Sequence, residues 1–145
     1  MRFFILLLVI VISVQSCKKD QKNKEVQKVE THEPTEEMVM LDNGNLWKAN
    51  FETTHGINTM IKRMDSFKDS EVIDSYKMLK DSLESDFTII FQKCTMEGEA
   101  HNQLHNYLKP MIDLFDGLES EDLDTRKSSF SKLEQHLKLY ENYFE

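Results

Sequence analysis

The residues from Cys94 to His105, CTMEGEAHNQLH, combine a thiol, a thioether and two imidazoles within a short stretch. His101 and His105 are four positions apart, which places two imidazoles on one helical face where they can bind the same ion. Cys94 and Met96 precede them and add sulfur ligands. Sulfur together with imidazole suits Cu(I), with Zn(II) as the borderline competitor. We therefore predict a copper-like metal site formed by Cys94, His101, His105 and Met96.

A structural interpretation of the same residues stays open. A single cysteine on an apolar helical row is commonly a small buried hydrophobe, and a histidine on the core face is commonly hydrogen-bonded to a polar neighbour. Among the ligands we favour Cys94 and His101 first, then His105, and Met96 after them. Cys94 and His101 could also be drawn as nucleophile and base, but no third orienting group is evident. We therefore do not predict an enzyme.

Four amphipathic helices are expected to position these residues, because apolar residues recur every three or four positions from Asp42 onward. The apolar rows run over Trp47–Met64, Ile73–Cys94, His101–Leu118 and Phe130–Phe144. The third row directs both of its histidines toward the core, and no strand pattern competes. The fold class is therefore all-α. Short connections make neighbouring helices antiparallel, so we predict an up-down-up-down four-helix bundle.

That topology gathers the ligand types at one pole of the bundle. The starts of helices one and three and the ends of helices two and four would all lie there. His55 and His136 then become second-tier candidates for a metal or for haem, and Asn50 is a candidate to orient an imidazole by hydrogen bonding. The sequence predicts one ligand-rich end and one end without such residues.

The N-terminal residues indicate export. An apolar run from Phe3 to Val14 follows Met1-Arg2 and has the length of a signal-peptide core, short for a bilayer span. Residues 14–17, VQSC, resemble the lipobox of bacterial lipoproteins. The resemblance implies a signal peptide over residues 1–16 and acylation of Cys17, which would anchor the protein in a membrane.

Lys18, rather than Asp, follows the cysteine, which in that family implies the outer membrane. Periplasmic and surface-facing orientations both stay open, as does a soluble secreted protein that loses Cys17.

Composition defines the remaining parts. Residues 17–41 are charged, lack aromatic side chains and contain Pro34, so we predict a lipidated cysteine followed by a flexible linker. Residues 42–145 form the predicted helical domain. The formal net charge of −8 argues against nucleic acid and against a polybasic membrane contact, since both need clustered Lys and Arg.

Trp47 and Asn50, together with the string from Cys94 to His105, resemble a group of small uncharacterised Gram-negative lipoproteins. That group shares W-x-x-N near the start of the domain and C-T-M-x-G-x-x-H-x-x-L-H at its centre. The resemblance covers most of the region from Leu41 to Leu118. It implies that these residues belong to one unit, and it brings no activity with it.

Three functions follow as expectations. The leading one is a metal-binding lipoprotein that buffers, senses or delivers a copper-like ion. The second is a haem-binding electron carrier, because the predicted architecture resembles cytochrome b562, with His136 and His55 as candidate axial ligands. No Cys-x-x-Cys-His motif for covalent haem occurs in the chain. The third is an envelope interaction or structural module without a metal, whose protein partner the sequence does not identify.

Overall fold

The structure, a computed structural model, describes residues 38–145. Within this range the chain forms four helices, α1 (Phe51–Ser66), α2 (Ile73–Lys93), α3 (Gly98–Leu118) and α4 (Leu123–Lys138), followed by a 3₁₀ turn (Tyr140–Asn142). The same range contains isolated β-bridges and no β-strand, so the all-α fold class is confirmed there. The predicted signal peptide, Cys17 and the linker up to residue 37 lie outside the described residues.

A single apolar core joins the four helices. α1 packs against α2 and α4, and α3 packs against α4 and α2. Burying a Leu, Ile or Met side chain contributes about 1.5–3 kcal/mol, so the apolar rows supply the main driving force for folding. Fully buried members of these rows include Ile57, Met60, Leu83, Ile90, Leu104, Leu108, Met111, Leu118, Leu133 and Leu137. Among the described residues, no helix combines the length and the apolar character needed to cross a bilayer.

α1 begins later than the apolar row predicts. Trp47 precedes the helix in an extended segment, where its N–H donates to Tyr143 O at 2.7 Å and its own carbonyl accepts from Glu145 N at 2.9 Å. Its indole N–H donates to the carbonyl of Met40. The assignment of Trp47 to helix one is therefore wrong. The physical reason is a long-range pairing that local periodicity does not contain.

α4 also differs at its end. The predicted row continued to Phe144, whereas α4 ends at Lys138 and a 3₁₀ turn follows. Tyr140 and Phe144 are nevertheless buried, because the chain after α4 folds back onto the core and pairs with the segment around Trp47. The apolar pattern predicted burial correctly and the helix end incorrectly.

Met40 ties the chain to α3 before the predicted start of the domain at Asp42. Its N–H donates to the side-chain carbonyl of Gln103 at 2.7 Å, and Gln103 in turn donates to Glu99 at 2.7 Å. The described chain is therefore held against the helices from at least this residue onward.

Arg126 links the ends of three helices. Its guanidinium donates to the carbonyls of Ile73 at the start of α2, Glu119 after α3, and Ser120. The Arg126 side chain is buried. The three carbonyls accept hydrogen bonds from its guanidinium, so its buried N–H groups are not left without partners. Residues at this end fasten helices to one another, whereas the chemistry-bearing residues lie elsewhere.

Candidate metal site

Cys94 lies where α2 ends. Its N–H donates to the carbonyl of Ile90 at 2.8 Å, and its own backbone is extended, with φ −63° and ψ 126°. The chain therefore leaves the helix at this residue. Cys94 is half-buried and packs against the core cluster, so its sulfur lies between the apolar interior and the surface.

The connection to α3 is short and places His101 opposite the thiol. α3 starts at Gly98, whose φ of 61° lies in the left-handed region that glycine adopts at low cost. His101 follows within the first turn of α3, and its Nδ1 lies 3.6 Å from Cys94 Sγ. This is within the range of a hydrogen bond that involves sulfur, so the structure brings Cys94 and His101 into contact.

His105 extends this contact by one residue. Its Nε2 lies 2.9 Å from Nε2 of His101, and the ring centroids are 4.5 Å apart. Phe91 packs edge-on against the His105 ring with centroids 5.4 Å apart. We call Cys94, His101 and His105 the thiol–imidazole cluster. Partial burial lowers the pKa of His105, and the neighbouring His101 lowers it further.

The prediction that both histidines point toward the core is wrong for His105. The buried face of α3 contains Leu104, Leu108 and Met111, and His105 is exposed while His101 is half-buried. Each residue turns a helix by about 100°, so His105 lies beside the buried face rather than on it.

The cluster is a row of three groups and not a ring around one point. His101 presents Nδ1 to the sulfur and Nε2 to His105, so an ion beside Nδ1 is not adjacent to the His105 nitrogen. Among residues 38–145, no group of three or more His, Cys, Asp or Glu side chains is arranged to hold a metal ion. The predicted sharing of one ion by His101 and His105 therefore does not match their side-chain positions.

Two of the predicted ligands do have a separation that fits an ion. Bonds of about 2.3 Å to sulfur and about 2.0–2.1 Å to nitrogen, at a tetrahedral angle, place the donor atoms about 3.5 Å apart. The observed distance from Cys94 Sγ to His101 Nδ1 is 3.6 Å. Thiolate and imidazole are also the donor types that Cu(I) and Zn(II) accept. The separation of Cys94 Sγ and His101 Nδ1 is therefore compatible with two donors on one ion.

Two further side chains of interest are Met96, two residues after Cys94, and Tyr140, whose pKa Cys94 affects. Met96 lies in the connection between α2 and α3 and is half-buried against the core. The Tyr140 hydroxyl lies 2.9 Å from the Thr54 hydroxyl. Burial raises the pKa of Tyr140, the hydrogen bond with Thr54 lowers it, and Cys94 adds a further increase. Tyr140 therefore stays protonated and shares its hydroxyl hydrogen bond with Thr54.

Asn50, predicted to orient an imidazole, contacts backbone and side chains of α1 and α2 instead. Its side-chain amide donates to the Lys93 carbonyl at 3.0 Å and to Glu52 at 2.8 Å, and its oxygen accepts from the Thr53 hydroxyl at 2.6 Å. Asn50 thus fixes the start of α1 to the last residue of α2, directly before Cys94. This link between the start of α1 and the end of α2 is a contact that sequence reasoning missed.

His55 and His136 have separate surroundings. His55 is exposed and stacks on Phe51 with centroids 5.5 Å apart. His136 Nε2 lies 2.7 Å from the carbonyl oxygen of Tyr107, and the two rings stack at 4.7 Å. Because a carbonyl only accepts, Nε2 of His136 carries the hydrogen and donates it. Nε2 of His136 is thus already hydrogen-bonded, and nothing in these contacts favours the haem alternative.

Comparisons with protein-family models, with curated proteins and with solved structures find no match for this chain. The geometry of the thiol–imidazole cluster therefore carries the functional proposal.

Proposed function

We propose that this protein is a lipid-anchored extracytoplasmic lipoprotein whose helical domain binds a soft, copper-like metal ion through Cys94 and His101. The observation that carries the proposal is the 3.6 Å separation of Cys94 Sγ and His101 Nδ1, which matches two donors on one ion. Zn(II) is the competing ion. The bound ion would be buffered, sensed or delivered to a partner.

The donor types support a soft ion. Cys94 supplies a thiolate once its proton is lost, and His101 supplies an imidazole nitrogen. Met96 lies two residues after Cys94 in the same connection and can add a thioether. Thiolate and thioether ligands favour Cu(I), whereas Zn(II) prefers four ligands drawn from thiolate, imidazole and carboxylate. The proposed set is thus Cys94 and His101, with Met96 as the third donor.

The proposal includes the up-down-up-down order of the helices, because that order brings the end of α2 beside the start of α3. Two contacts support it. Asn50 before α1 donates to Lys93 at the end of α2 at 3.0 Å, and Lys77 near the start of α2 pairs with Glu119 after α3 at 2.9 Å. In each pair the start of one helix lies beside the end of the next, so α1 and α2, and likewise α2 and α3, run in opposite directions.

The membrane anchor in the proposal rests on the sequence of residues 1–17, where a signal-peptide core precedes VQSC. Acyl chains on Cys17 would hold the domain at the outer membrane, on the extracytoplasmic side. In an oxidising compartment an unprotected thiol is open to oxidation. Cys94 has no disulfide partner within the described residues, so a bound soft ion would also protect its sulfur.

Metal titration of the purified, reduced protein tests the proposal. Cu(I) and Zn(II) would each be offered in competition with a chromogenic chelator of known affinity. Losing one ligand of a small site removes a large share of its binding free energy, so we expect Cys94→Ser to weaken Cu(I) binding at least about 100-fold. His101→Ala should weaken it at least about tenfold on the same reasoning.

His55→Ala provides the matched control, because His55 is a histidine on α1 outside the cluster. This variant should bind Cu(I) as the native protein does. Circular dichroism would verify that every variant remains helical. Equal Cu(I) affinity in the native protein, Cys94→Ser and His101→Ala would contradict the proposal.

A further inference from the structure

We infer that His105 is a positioning residue, which keeps the proton of His101 on Nε2 and so leaves the lone pair of His101 Nδ1 directed at Cys94. The inference rests on the proposed function, because Nδ1 is the atom proposed to hold the ion. Two distances carry it, namely 2.9 Å between the Nε2 atoms of His101 and His105, and 3.6 Å between Nδ1 and the sulfur.

The contact between the two Nε2 atoms permits only two proton arrangements. Two nitrogens at 2.9 Å share one hydrogen, since two hydrogens would collide and none would leave two lone pairs facing each other. If His101 carries that hydrogen, its neutral ring has a lone pair on Nδ1. If His105 carries it, the neutral His101 ring has its hydrogen on Nδ1, pointing at the sulfur.

Hydrogen-bond satisfaction selects the first arrangement. With a lone pair on His101 Nδ1, the Cys94 thiol donates to Nδ1, and His101 Nε2 donates to His105. The remaining hydrogen of His105 lies on Nδ1, and water can accept it because His105 is exposed. In the second arrangement the Nδ1 hydrogen of His101 points at the sulfur, which is only a weak acceptor, and the hydrogen of the half-buried thiol loses Nδ1 as its acceptor.

The first arrangement is also the one that metal binding requires. The ion replaces the thiol proton of Cys94, which leaves to solvent, while His101 keeps its own proton and its bond to His105. Histidines that bind metals commonly donate their other ring N–H to a neighbour that fixes tautomer and orientation. Here that neighbour is an imidazole one helical turn away, which also packs against Phe91 with ring centroids 5.4 Å apart.

The proton position can be measured without a metal. Long-range ¹H–¹⁵N correlation spectra of the reduced, metal-free protein distinguish the two tautomers of His101. We expect Nε2–H in the native protein and loss of this preference in His105→Leu, which removes the acceptor. Cu(I) affinity, measured by chelator competition, should fall about 10- to 100-fold in His105→Leu, the usual cost of removing such a partner.

His105→Gln separates positioning from packing, because its side-chain oxygen can accept the same hydrogen bond. It should recover most of the native affinity and the Nε2–H tautomer, while His55→Leu should leave both unchanged. The inference is overturned if native His101 carries its hydrogen on Nδ1, or if His105→Leu and His105→Gln bind Cu(I) equally weakly. A native protein that shows the expected tautomer but leaves Cu(I) with the chelator overturns the proposed function and supports the proton assignment.

Discussion

Two histidines of the described helices differ in what their ring nitrogens contact. At the contact between α3 and α4, His136 donates to the backbone carbonyl of Tyr107 and stacks on its ring. In the thiol–imidazole cluster, both nitrogens of His101 face side chains that can themselves gain or lose protons. Both histidines are half-buried. Burial therefore does not separate a structural histidine from a chemically available one, whereas the nature of the partner does.

Tyr107 makes the contact with His136 structural. Its hydroxyl donates to the carbonyls of His136 and Leu137, at 3.2 and 3.1 Å, where α4 nears its end. Burial raises the pKa of Tyr107, and nearby Tyr140 raises it further, so the hydroxyl remains a donor at any physiological pH. The last carbonyls of a helix lack the regular intrahelical donors, and the backbone N–H of Leu139 is shared between these two. Tyr107 adds a second donor from the neighbouring helix.

The largest expected effect comes from removing this hydroxyl. Tyr107→Phe leaves the His136 and Leu137 carbonyls with only the shared N–H of Leu139, and such a partly satisfied buried site typically costs about 1–3 kcal/mol of unfolding free energy. Cu(I) affinity should not change, because the cluster is untouched. Tyr143→Phe is the control, since its hydroxyl makes no hydrogen bond to the described residues. Urea denaturation measures the free energy of unfolding of both variants. An equal loss of stability in the two would contradict the assigned role of Tyr107.

A matched pair of substitutions tests the contrast between the histidines directly. His136→Phe keeps an aromatic ring against Tyr107 but loses one hydrogen bond, so stability should fall by about 0.5–1.5 kcal/mol while Cu(I) affinity stays native. His101→Phe should weaken Cu(I) binding at least about tenfold, as His101→Ala does, and should lower stability less than His136→Phe, because its partner His105 is exposed and can bond to water. Urea denaturation and chelator competition on both proteins provide the test. If each substitution altered both quantities alike, the distinction between the two sites would fail.

The smallest effect concerns pH. Because the pKa of His105 in the folded protein lies below its ordinary value of 6.5, the unfolded chain binds a proton more readily than the folded one. The contribution of neutral His105 to the free energy of unfolding is therefore fully present above about pH 6.5. It is lost as the pH falls through the pKa of His105 in the folded protein. Thermal unfolding should be measured from pH 8 to pH 5 on the metal-free native protein and on metal-free His105→Gln. The Tm should decline less steeply in His105→Gln than in the native protein. A parallel decline in both proteins would contradict this prediction.

The helical class could be predicted from the sequence because apolar periodicity records which face of each helix is buried. Leu104, Leu108 and Met111 are buried as their spacing predicts. The start of α1 could not be predicted, because Trp47 belongs to an extended segment that pairs with residues almost a hundred positions away. Local sequence patterns indicate which residues are buried, but they do not indicate hydrogen bonds between residues far apart in the chain.

The candidate site was predictable in part for a similar reason. The spacing of His101 and His105 placed their rings side by side, and the short connection placed Cys94 near them. Which nitrogen faces which partner depends on side-chain rotamers, and these follow from packing against groups such as Phe91. The stacking of His136 on Tyr107 depends in the same way on the alignment of α3 with α4.

The pairing of Trp47 with the final residues has a practical consequence for experiments. Trp47 is the sole tryptophan of the chain, and its backbone hydrogen bonds join Tyr143 and Glu145. Its fluorescence emission therefore monitors the closure between the segment ahead of α1 and the residues that follow α4. On heating, a change in emission that precedes the loss of helical circular dichroism would show that the pairing of Trp47 with the final residues opens before the helices unfold.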